Sequence, residues 1–175
     1  YWWAAGIEVD NDIDISNLVD GKPIYYIKNA SNKIFDASTN AGIFYCMNCD
    51  NVTIDGLELS KNQIGIYLHN TKNSTIRNIS ATNNTIGILL LSSSNNTLTD
   101  NNTANNSRGI YIESASNTNT LAGNLASNSI YGGIFISSSN SNALTGNTLS
   151  NNSGGISLSR SNNNLLAGNT ASGNY

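Results

Sequence analysis

Residues 62–83 read NQIGIYLHNTKNSTIRNISATN, and residues 84–105 repeat the same order of apolar and polar positions as NTIGILLLSSSNNTLTDNNTAN. The Gly-Ile pair in these stretches recurs 22 to 24 residues apart, beginning at Gly42, Gly65, Gly87, Gly109, Gly133 and Gly155. A second apolar position keeps the same period, at Ile54, Ile76, Leu98, Leu121, Leu144 and Leu166. A repeat of this length cannot bury its apolar residues alone, so neighbouring copies must stack around a shared core.

The residues after each Gly-Ile pair alternate as in a β-strand, in which successive side chains point to opposite faces. Ile66 and Leu68 are therefore predicted to point inward, and Tyr67 and His69 outward. The equivalent inward pairs are Ile43/Tyr45, Ile88/Leu90, Ile110/Ile112, Ile134/Ile136 and Ile156/Leu158.

Two shorter strands complete each repeat, one ending at Ile76 and one running through Ile79. Three sides make a triangular coil, so the sequence predicts an all-β fold, a parallel β-helix (solenoid) of six to seven coils of about 22 residues, stacked about 4.8 Å apart. One domain is predicted, residues 1–175, with an N-terminal edge strand or cap (1–16), an opening coil (17–41) and regular repeats (42–175).

Composition and charge limit the function. Charged residues make up 11% of the chain and the formal net charge is -3, without a cluster of Lys and Arg. Because binding to a phosphate backbone needs such a cluster, we expect no nucleic-acid binding. No apolar run reaches the about 18 residues that a membrane helix needs, so we expect no membrane insertion.

Two rows of asparagine keep the period of the repeat. The first follows each core Leu by three residues and the second precedes the Gly-Ile pairs. They are Asn101, Asn124, Asn147 and Asn169, and Asn62, Asn84, Asn106, Asn128 and Asn152. An amide both donates and accepts, so identical residues one coil apart can bond along the rod, and Asn tolerates the left-handed backbone of a sharp corner. Both rows are predicted to be structural amide ladders.

Several Asn-X-Ser/Thr sequons mark candidate glycosylation sites. They are Asn29, Asn51, Asn73, Asn83, Asn95, Asn105 and Asn151. Repeats rich in Asn, Ser and Thr also generate this pattern by chance, so the sequence leaves glycosylation and coincidence as alternatives.

The repeated pieces N-x-[ST]-[IL] and N-x-x-G-I, with NVTIDG at residues 51–56, resemble the right-handed parallel β-helix repeats of the NosD-like, carbohydrate-binding and sugar-hydrolase (pectin-lyase-like) superfamily. Residues 18–26 resemble the first coil of such proteins, and the likeness covers roughly residues 17–172. It implies right-handed coils. Relatives include lyases, hydrolases, epimerases, accessory proteins and surface proteins, so the resemblance implies a fold more strongly than an activity.

Enzymes of this fold that act on polysaccharides need carboxylates clustered on one face, to hold calcium or to act as acid and base. Asp50 and Asp55 flank one strand and Asp36 lies about one coil earlier, but the equivalent later positions hold Asn, Ser, Thr or Arg. His69 is the single histidine and is predicted to be a surface residue. We therefore expect no catalytic residues and no metal ligands, and the sequence favours a non-enzymatic protein.

Residues 7–15 alternate apolar side chains with acids, at Glu8, Asp10, Asp12 and Asp14. This alternation predicts one half-buried strand. The acids have two interpretations: charges that keep a sheet edge from pairing with other chains, or ligands for calcium. The first is favoured, so no cofactor is expected.

Cys46 and Cys49 form a C-x-x-C unit, which is found in redox sites, in metal sites and in disulfides. There is no second cysteine pair, and His69 is the one further soft ligand considered, so copper delivery, which a resemblance to NosD would imply, is not supported. A disulfide, within or between chains, is the favoured prediction. Such a bond is typical of an extracellular or cell-envelope protein.

One outward row is predicted to carry function. It reads Phe44, Tyr67, Leu89, Tyr111 and Phe135, one mostly aromatic residue per coil. It could pack within the ladder or under a loop, or form an interface for sugar rings or a second protein surface. The terminal Tyr1, Trp2 and Trp3 likewise either cap the core or dock onto a partner.

No C-terminal cap is recognisable, and an open coil end is a template for further strands. The leading hypothesis is a non-catalytic structural protein of the cell surface that self-assembles, end to end or laterally, into a sheath, surface layer or filament. Its partner would be itself. The alternative is a polysaccharide-binding module, or a polysaccharide-active enzyme, that uses the aromatic row.

Overall fold

A computed structural model describes residues 10–175, and nearly all of their regular structure is β. In chain order the strands are β1 (Leu18–Val19), β2 (Lys22–Lys28), β3 (Ile34–Phe35), β4 (Ile43–Met47), β5 (Thr53–Asp55), β6 (Glu58–Ser60), β7 (Ile64–His69), β8 (Thr75–Arg77), β9 (Ser80–Thr82), β10 (Ile86–Leu91), β11 (Thr97–Thr99), β12 (Arg108–Glu113), β13 (Thr120–Ala122), β14 (Leu125–Ser127), β15 (Gly132–Ser137), β16 (Ala143–Thr145), β17 (Thr148–Ser150), β18 (Ile156–Ser159), β19 (Leu165–Ala167) and β20 (Thr170–Ser172). One 3₁₀ turn, Ala37–Thr39, precedes β4.

The strands form the three sides of each coil. The long-strand sheet has the order β1-β2-β4-β7-β10-β12-β15-β18, and the second sheet runs from β3 through β5, β8, β11, β13 and β16 to β19. The third side consists of β6-β9 and β14-β17-β20, linked by bridges through Asn102. Among the described strands, all neighbours pair in parallel except β1 and β2. The seven strands β2 to β18 belong to successive coils, so the predicted β-helix is confirmed.

The core consists of apolar columns that run along the rod. Ile66 pairs in register with Ile88 and Leu68 with Leu90, and all four side chains are fully buried. Ile110, Ile112, Ile134 and Ile136 continue the two columns. The second and third sides contribute further columns, such as the one through Ile76 and Leu98. The predicted inward pairs are confirmed for these coils.

The inward pair predicted for the first regular coil is wrong. Phe44 pairs with Ile66 and Cys46 with Leu68, and both Phe44 and Cys46 are fully buried, whereas Tyr45 lies on the outer face. The step from Gly42 to Gly65 is 23 residues, but the strands pair with an offset of 22. A shift of one residue moves every side chain of a strand to the opposite face, so alignment on Gly-Ile placed this strand inside out.

The asparagine ladders are confirmed, and they are internal. In the first row, the Asn101 amide nitrogen donates to Ile76 O at 3.0 Å and to Asn124 Oδ1 at 2.9 Å, and the Asn101 backbone N–H donates to the same oxygen at 3.1 Å. Asn147 and Asn169 repeat the pattern. Each amide therefore satisfies buried backbone groups at a corner where no strand can do so.

In the second row, Asn62, Asn84 and Asn106 are linked as predicted, but Asn128 is not a member. Ser129 takes its place and donates its backbone N–H to Asn152 Oδ1 at 2.8 Å. Asn128 is exposed at a corner with φ 54°. The coil from Gly109 to Gly133 is the longest, at 24 residues, so counting back from Gly-Ile misplaced this member of the row.

Two further rows were missed by the sequence analysis. One is a third amide ladder, through Asn96, Asn119, Asn142 and Asn164. The other is a row of buried hydroxyls, at Thr71, Ser93, Ser116, Ser139 and Ser161. The spacing of 23 residues between Asn96, Asn119 and Asn142 was the signal that could have identified the ladder.

Exposed corners explain the sequons. All seven candidate asparagines have φ between 53° and 59° and lie on the surface. Asn is one of the few residues that accept this left-handed backbone without a glycine. The fold therefore selects Asn at these positions with or without a glycan, and glycosylation stays a prediction.

The described part of the predicted N-terminal strand, residues 10–16, is not a strand. Asp14 accepts hydrogen bonds from the backbone N–H and the hydroxyl of Ser16, and Asn17 N–H donates to Asp14 O at 3.2 Å. This turn competes with extended pairing. Residues 7–9 and Glu8, like Tyr1, Trp2 and Trp3, lie outside the described residues.

Candidate functional site: the outer face of the long-strand sheet

The predicted aromatic row lies on the outer face of the long-strand sheet, with one change of membership. Tyr67, Leu89, Tyr111 and Phe135 are in register, as predicted. Phe44 is internal, and Tyr45 takes its place next to Tyr67. Tyr26 extends the row by one more coil, a position that the shorter spacing from Tyr26 to Tyr45 hid from the sequence analysis.

The rings of this row pack edge to face. Ring centroids are 5.5 Å apart between Tyr45 and Tyr67, at an interplanar angle of 88°, and 5.2 Å apart between Tyr111 and Phe135, at 60°. Leu89 separates these two pairs. Edge-to-face contacts stabilise neighbouring coils, and they leave fewer flat ring faces for a ligand than a parallel stack would.

Burial divides the outer face into two parts. The covered half consists of Met47, Ile64, Tyr67, Ile86 and Leu89, which are at most 4% exposed and form a second apolar cluster outside the main core. Further along the rod lies the open half, which comprises Arg108, Tyr111, Tyr131 and Phe135. Tyr111 and Phe135 are half-buried and Tyr131 is 65% exposed.

The open half is organised around Arg108. Its guanidinium carbon lies 5.4 Å from the Tyr111 ring centroid and 5.2 Å from the Tyr131 ring centroid. The Tyr111 hydroxyl donates to Glu113 at 2.5 Å. Burial, and then this bond to the Glu113 carboxylate, raises the pKa of Tyr111, so the phenol stays protonated. The group offers an aromatic platform, one cation and one anion, a combination suited to a flat polar ligand such as a sugar.

His69 lies in the outer column between Met47 and Leu91 and is half-buried, rather than a freely solvated surface residue. Its Nδ1 atom is buried without a hydrogen-bond partner. Burial lowers the pKa of His69 below its usual value of 6.5 and raises the pKa of the neighbouring Tyr67 phenol. Both groups are therefore neutral at neutral pH.

The His69 pKa predicts a pH dependence of stability. The unfolded chain takes up a proton near its usual pKa of 6.5, whereas the folded imidazole takes it up only at lower pH. The contribution to stability is therefore fully present above about pH 6.5 and is lost as pH falls towards about 5. Urea unfolding midpoints across this range should fall in wild type and fall less in His69→Gln, and an imidazole that titrates by NMR at or above its usual pKa would contradict this.

The acids that the sequence offers as candidate catalysts are paired along the rod. Asp55 accepts from Asn78 and from Arg77, both at 2.9 Å, and these bonds hold the pKa of its carboxyl below the usual value. Asp50 accepts from Asn73 at 2.7 Å and lies 3.8 Å from Lys72 Nζ. Within residues 10–175, no group of three or more His, Cys, Asp or Glu side chains could hold a metal ion. The pairings explain why these acids occur singly.

The predicted disulfide is confirmed within one chain. Cys46 and Cys49 are bonded, with Cα atoms 6.0 Å apart, and both are at most 1% exposed. We expect no reaction with a thiol-alkylating reagent in the native protein, even after brief treatment with reductant, because the sulfurs are out of reach of solvent. Two alkyl groups should add after denaturation with reductant, as measured by intact mass, and labelling of native protein without reductant would contradict the bond.

Comparisons with known proteins support the β-helix assignment. A family model described as "Periplasmic copper-binding protein (NosD)" matches residues 6–175. Among solved structures, the periplasmic alginate epimerase AlgG, as a double mutant, matches with a TM-score of 0.47 and 16% identity, over 83% of this chain and 48% of that chain. The chain thus spans about half the length of that structure. A comparison with curated proteins finds no match. Residues 10–175 contain no helix long and apolar enough to cross a membrane.

The described residues do not assemble a copper site. The sulfurs of Cys46 and Cys49 are joined to each other, and His69 is the single imidazole of the chain. Met47 is its register neighbour, so one imidazole and one thioether are the soft donors that this face brings together. Protein copper sites use three or more ligands of this kind. The donor set does not fit copper, and no step through copper is derived.

Proposed function

The chain belongs to the NosD family, and from this premise we propose that it is a structural β-helix of the cell envelope that associates with further copies of itself. The family's description as periplasmic supports the location. The single observation that carries self-association is the apolar end of the last coil. Any further coil, whether from a longer chain or from a second copy, would bury the same surface, so the proposal concerns the 175-residue chain itself.

Three core columns end at this surface. Leu158 is 43% exposed although its register partner Ile136 is fully buried, and Leu166 is 44% exposed although Leu144 is fully buried. Ala171, the partner of Leu149, is also exposed. Burying these side chains against another coil would contribute favourable free energy in proportion to the apolar area covered.

The polar ladders offer a matching template. In earlier coils the backbone N–H of each ladder Asn donates to the Oδ1 of the next Asn, as Asn147 N does to Asn169 Oδ1 at 3.0 Å. A coil added beyond Asn169 would supply the equivalent acceptor. The opposite end exposes Leu18 and Ile34. Unlike ends that each expose apolar side chains favour head-to-tail contacts, which propagate into filaments instead of closing as dimers.

Light scattering and electron microscopy at rising protein concentration test this proposal. Wild type should form rods longer than one molecule, and Leu158→Glu with Leu166→Glu should leave monomers because charge at the edge blocks a further coil. Ile130→Glu is the matched control, since Ile130 is also exposed but lies on the side of the rod. Monomeric wild type at high concentration would overturn the proposal, and loss of assembly in the control alone would point to lateral contacts.

A second candidate function is polysaccharide binding by the open half. It is favoured by the exposed Tyr131 ring, held against Arg108 on a face that also presents Glu113. Sugar rings stack on such aromatic faces, while charged groups bind hydroxyls or carboxylates. Calorimetry with polysaccharides should show binding that Tyr131→Ala weakens at least tenfold and that Tyr175→Ala, a fully exposed control, leaves unchanged. No binding to neutral or acidic polysaccharides would remove this candidate.

A further inference from the structure

The covered half has an unusual position, because it lies outside the coil and yet excludes water. Ile66 and Ile88 point into the core, so Tyr67 and Leu89, the next residues along each strand, stand on the outer face. Tyr67 and Met47 are nevertheless fully buried, and Leu89 is 4% exposed. A side chain on a sheet reaches this degree of burial only beneath a second layer, as in packed sheets.

The apolar side chains that pack against this cluster do not provide that layer. They are Tyr26, Tyr45, Leu91 and Tyr111, which belong to the same sheet and flank the cluster. Burial also decreases along the rod, from fully buried Tyr67 to half-buried Tyr111. The covering layer is therefore confined to the coils of β4, β7 and β10.

The path of the chain identifies the occupant. Asp10 lies 3.5 Å from Lys28 Nζ, and Lys28 is in register with Met47 and His69. The chain that precedes Asp10 therefore starts at the edge of the covered half. Nine extended residues reach roughly 30 Å. The distance from β2 to β10, three strand spacings of about 4.8 Å, is well within that reach.

The composition of this segment matches the surface. Residues 1–9 read YWWAAGIEV, with one charged side chain, Glu8. We propose that residues 1–9 lie across the covered half as an apolar strap that contacts Tyr67, Ile86 and Leu89. The strap removes water from these outer coils, in agreement with the raised pKa of Tyr67 and the lowered pKa of His69. It also restricts ligand binding on this face to the open half. The inference does not depend on self-association.

The chain carries its own probe for the strap, because Trp2 and Trp3 are its two tryptophans. The 175-residue protein should show blue-shifted tryptophan emission and weak quenching by acrylamide, both relative to the urea-unfolded chain. Leu89→Lys, which places a charge in the covered half, should shift the emission to the red and increase quenching several-fold. Phe135→Lys is the matched control, in the same outer row but in the open half, and should leave both signals unchanged.

A strap variant guards against misfolding of the sheet variant. Ile7→Asp leaves every coil residue in place, so its far-UV circular dichroism should match wild type while its emission shifts to the red as in Leu89→Lys. Wild-type emission equal to that of the unfolded chain would overturn the proposal, as would unchanged emission in folded Ile7→Asp. A blue shift that disappears on dilution would also overturn it, because a second copy would then be the cover.

Discussion

Asn124→Ala should lower the free energy of unfolding by about 4 kcal/mol, since it leaves several buried polar groups without partners. Asn124 Oδ1 accepts from the Asn101 backbone N–H at 3.1 Å, and its amide nitrogen donates to Leu98 O at 2.9 Å. Alanine removes both bonds in a position that water does not reach. Each buried group left unpaired costs about 1–3 kcal/mol. Urea unfolding followed by far-UV circular dichroism measures the change.

Asn105→Gly is the control for this variant. Asn105 is an exposed corner residue with φ 56°, a backbone conformation that glycine adopts without strain. Its removal should change the free energy of unfolding by less than about 1 kcal/mol. Equal losses in the two variants would mean that the internal ladder contributes no more to stability than a surface amide does.

Gly87→Ala should destabilise the protein by about 3 kcal/mol through overpacking. A β-carbon at this position would lie 2.7 Å from Gly109 O and 2.8 Å from Asn106 Nδ2. The first atom belongs to the backbone of the next coil, which cannot move away without breaking ladder hydrogen bonds on both sides. The periodic glycine is thus required by the close approach of stacked coils, and its φ plays no part. Thermal unfolding and urea titration both measure the loss.

Gly154→Ala provides the comparison for Gly87→Ala. A β-carbon there would first meet the Ser157 Oγ atom at 3.3 Å, and this side chain can rotate away. We expect a change of less than about 1 kcal/mol, because relief by a side-chain rotation is cheap. If Gly87→Ala were equally mild, the coils would have to be more deformable than the ladder geometry implies.

The sequence by itself determined the coil, its length and its inner columns. Period two within strands and period 22 to 24 between them identify Ile66, Leu68 and their equivalents as core residues, because no other arrangement buries them all. It also determined the first asparagine ladder and the Cys46–Cys49 disulfide as a favoured pairing. These features are periodic or local, so they are legible in one dimension.

Of the candidate site, the sequence predicted the row through Tyr67, Leu89, Tyr111 and Phe135 but not its division into covered and open halves. Burial on an outer face depends on what packs over it, and that is not periodic. Arg108 and Tyr131 were missed because their contact joins a strand to a corner loop.

Tertiary structure alone decided two points of register. Phe44 is internal because strands pair with an offset of 22 residues where the Gly-Ile motif steps by 23, and Ser129 replaces Asn128 in a ladder because that coil is longer. A one-residue slip reverses a strand's faces without changing its composition. Motif spacing therefore establishes that coils exist, whereas hydrogen-bond pairing between coils decides which side chains face the core, the corner or the outside.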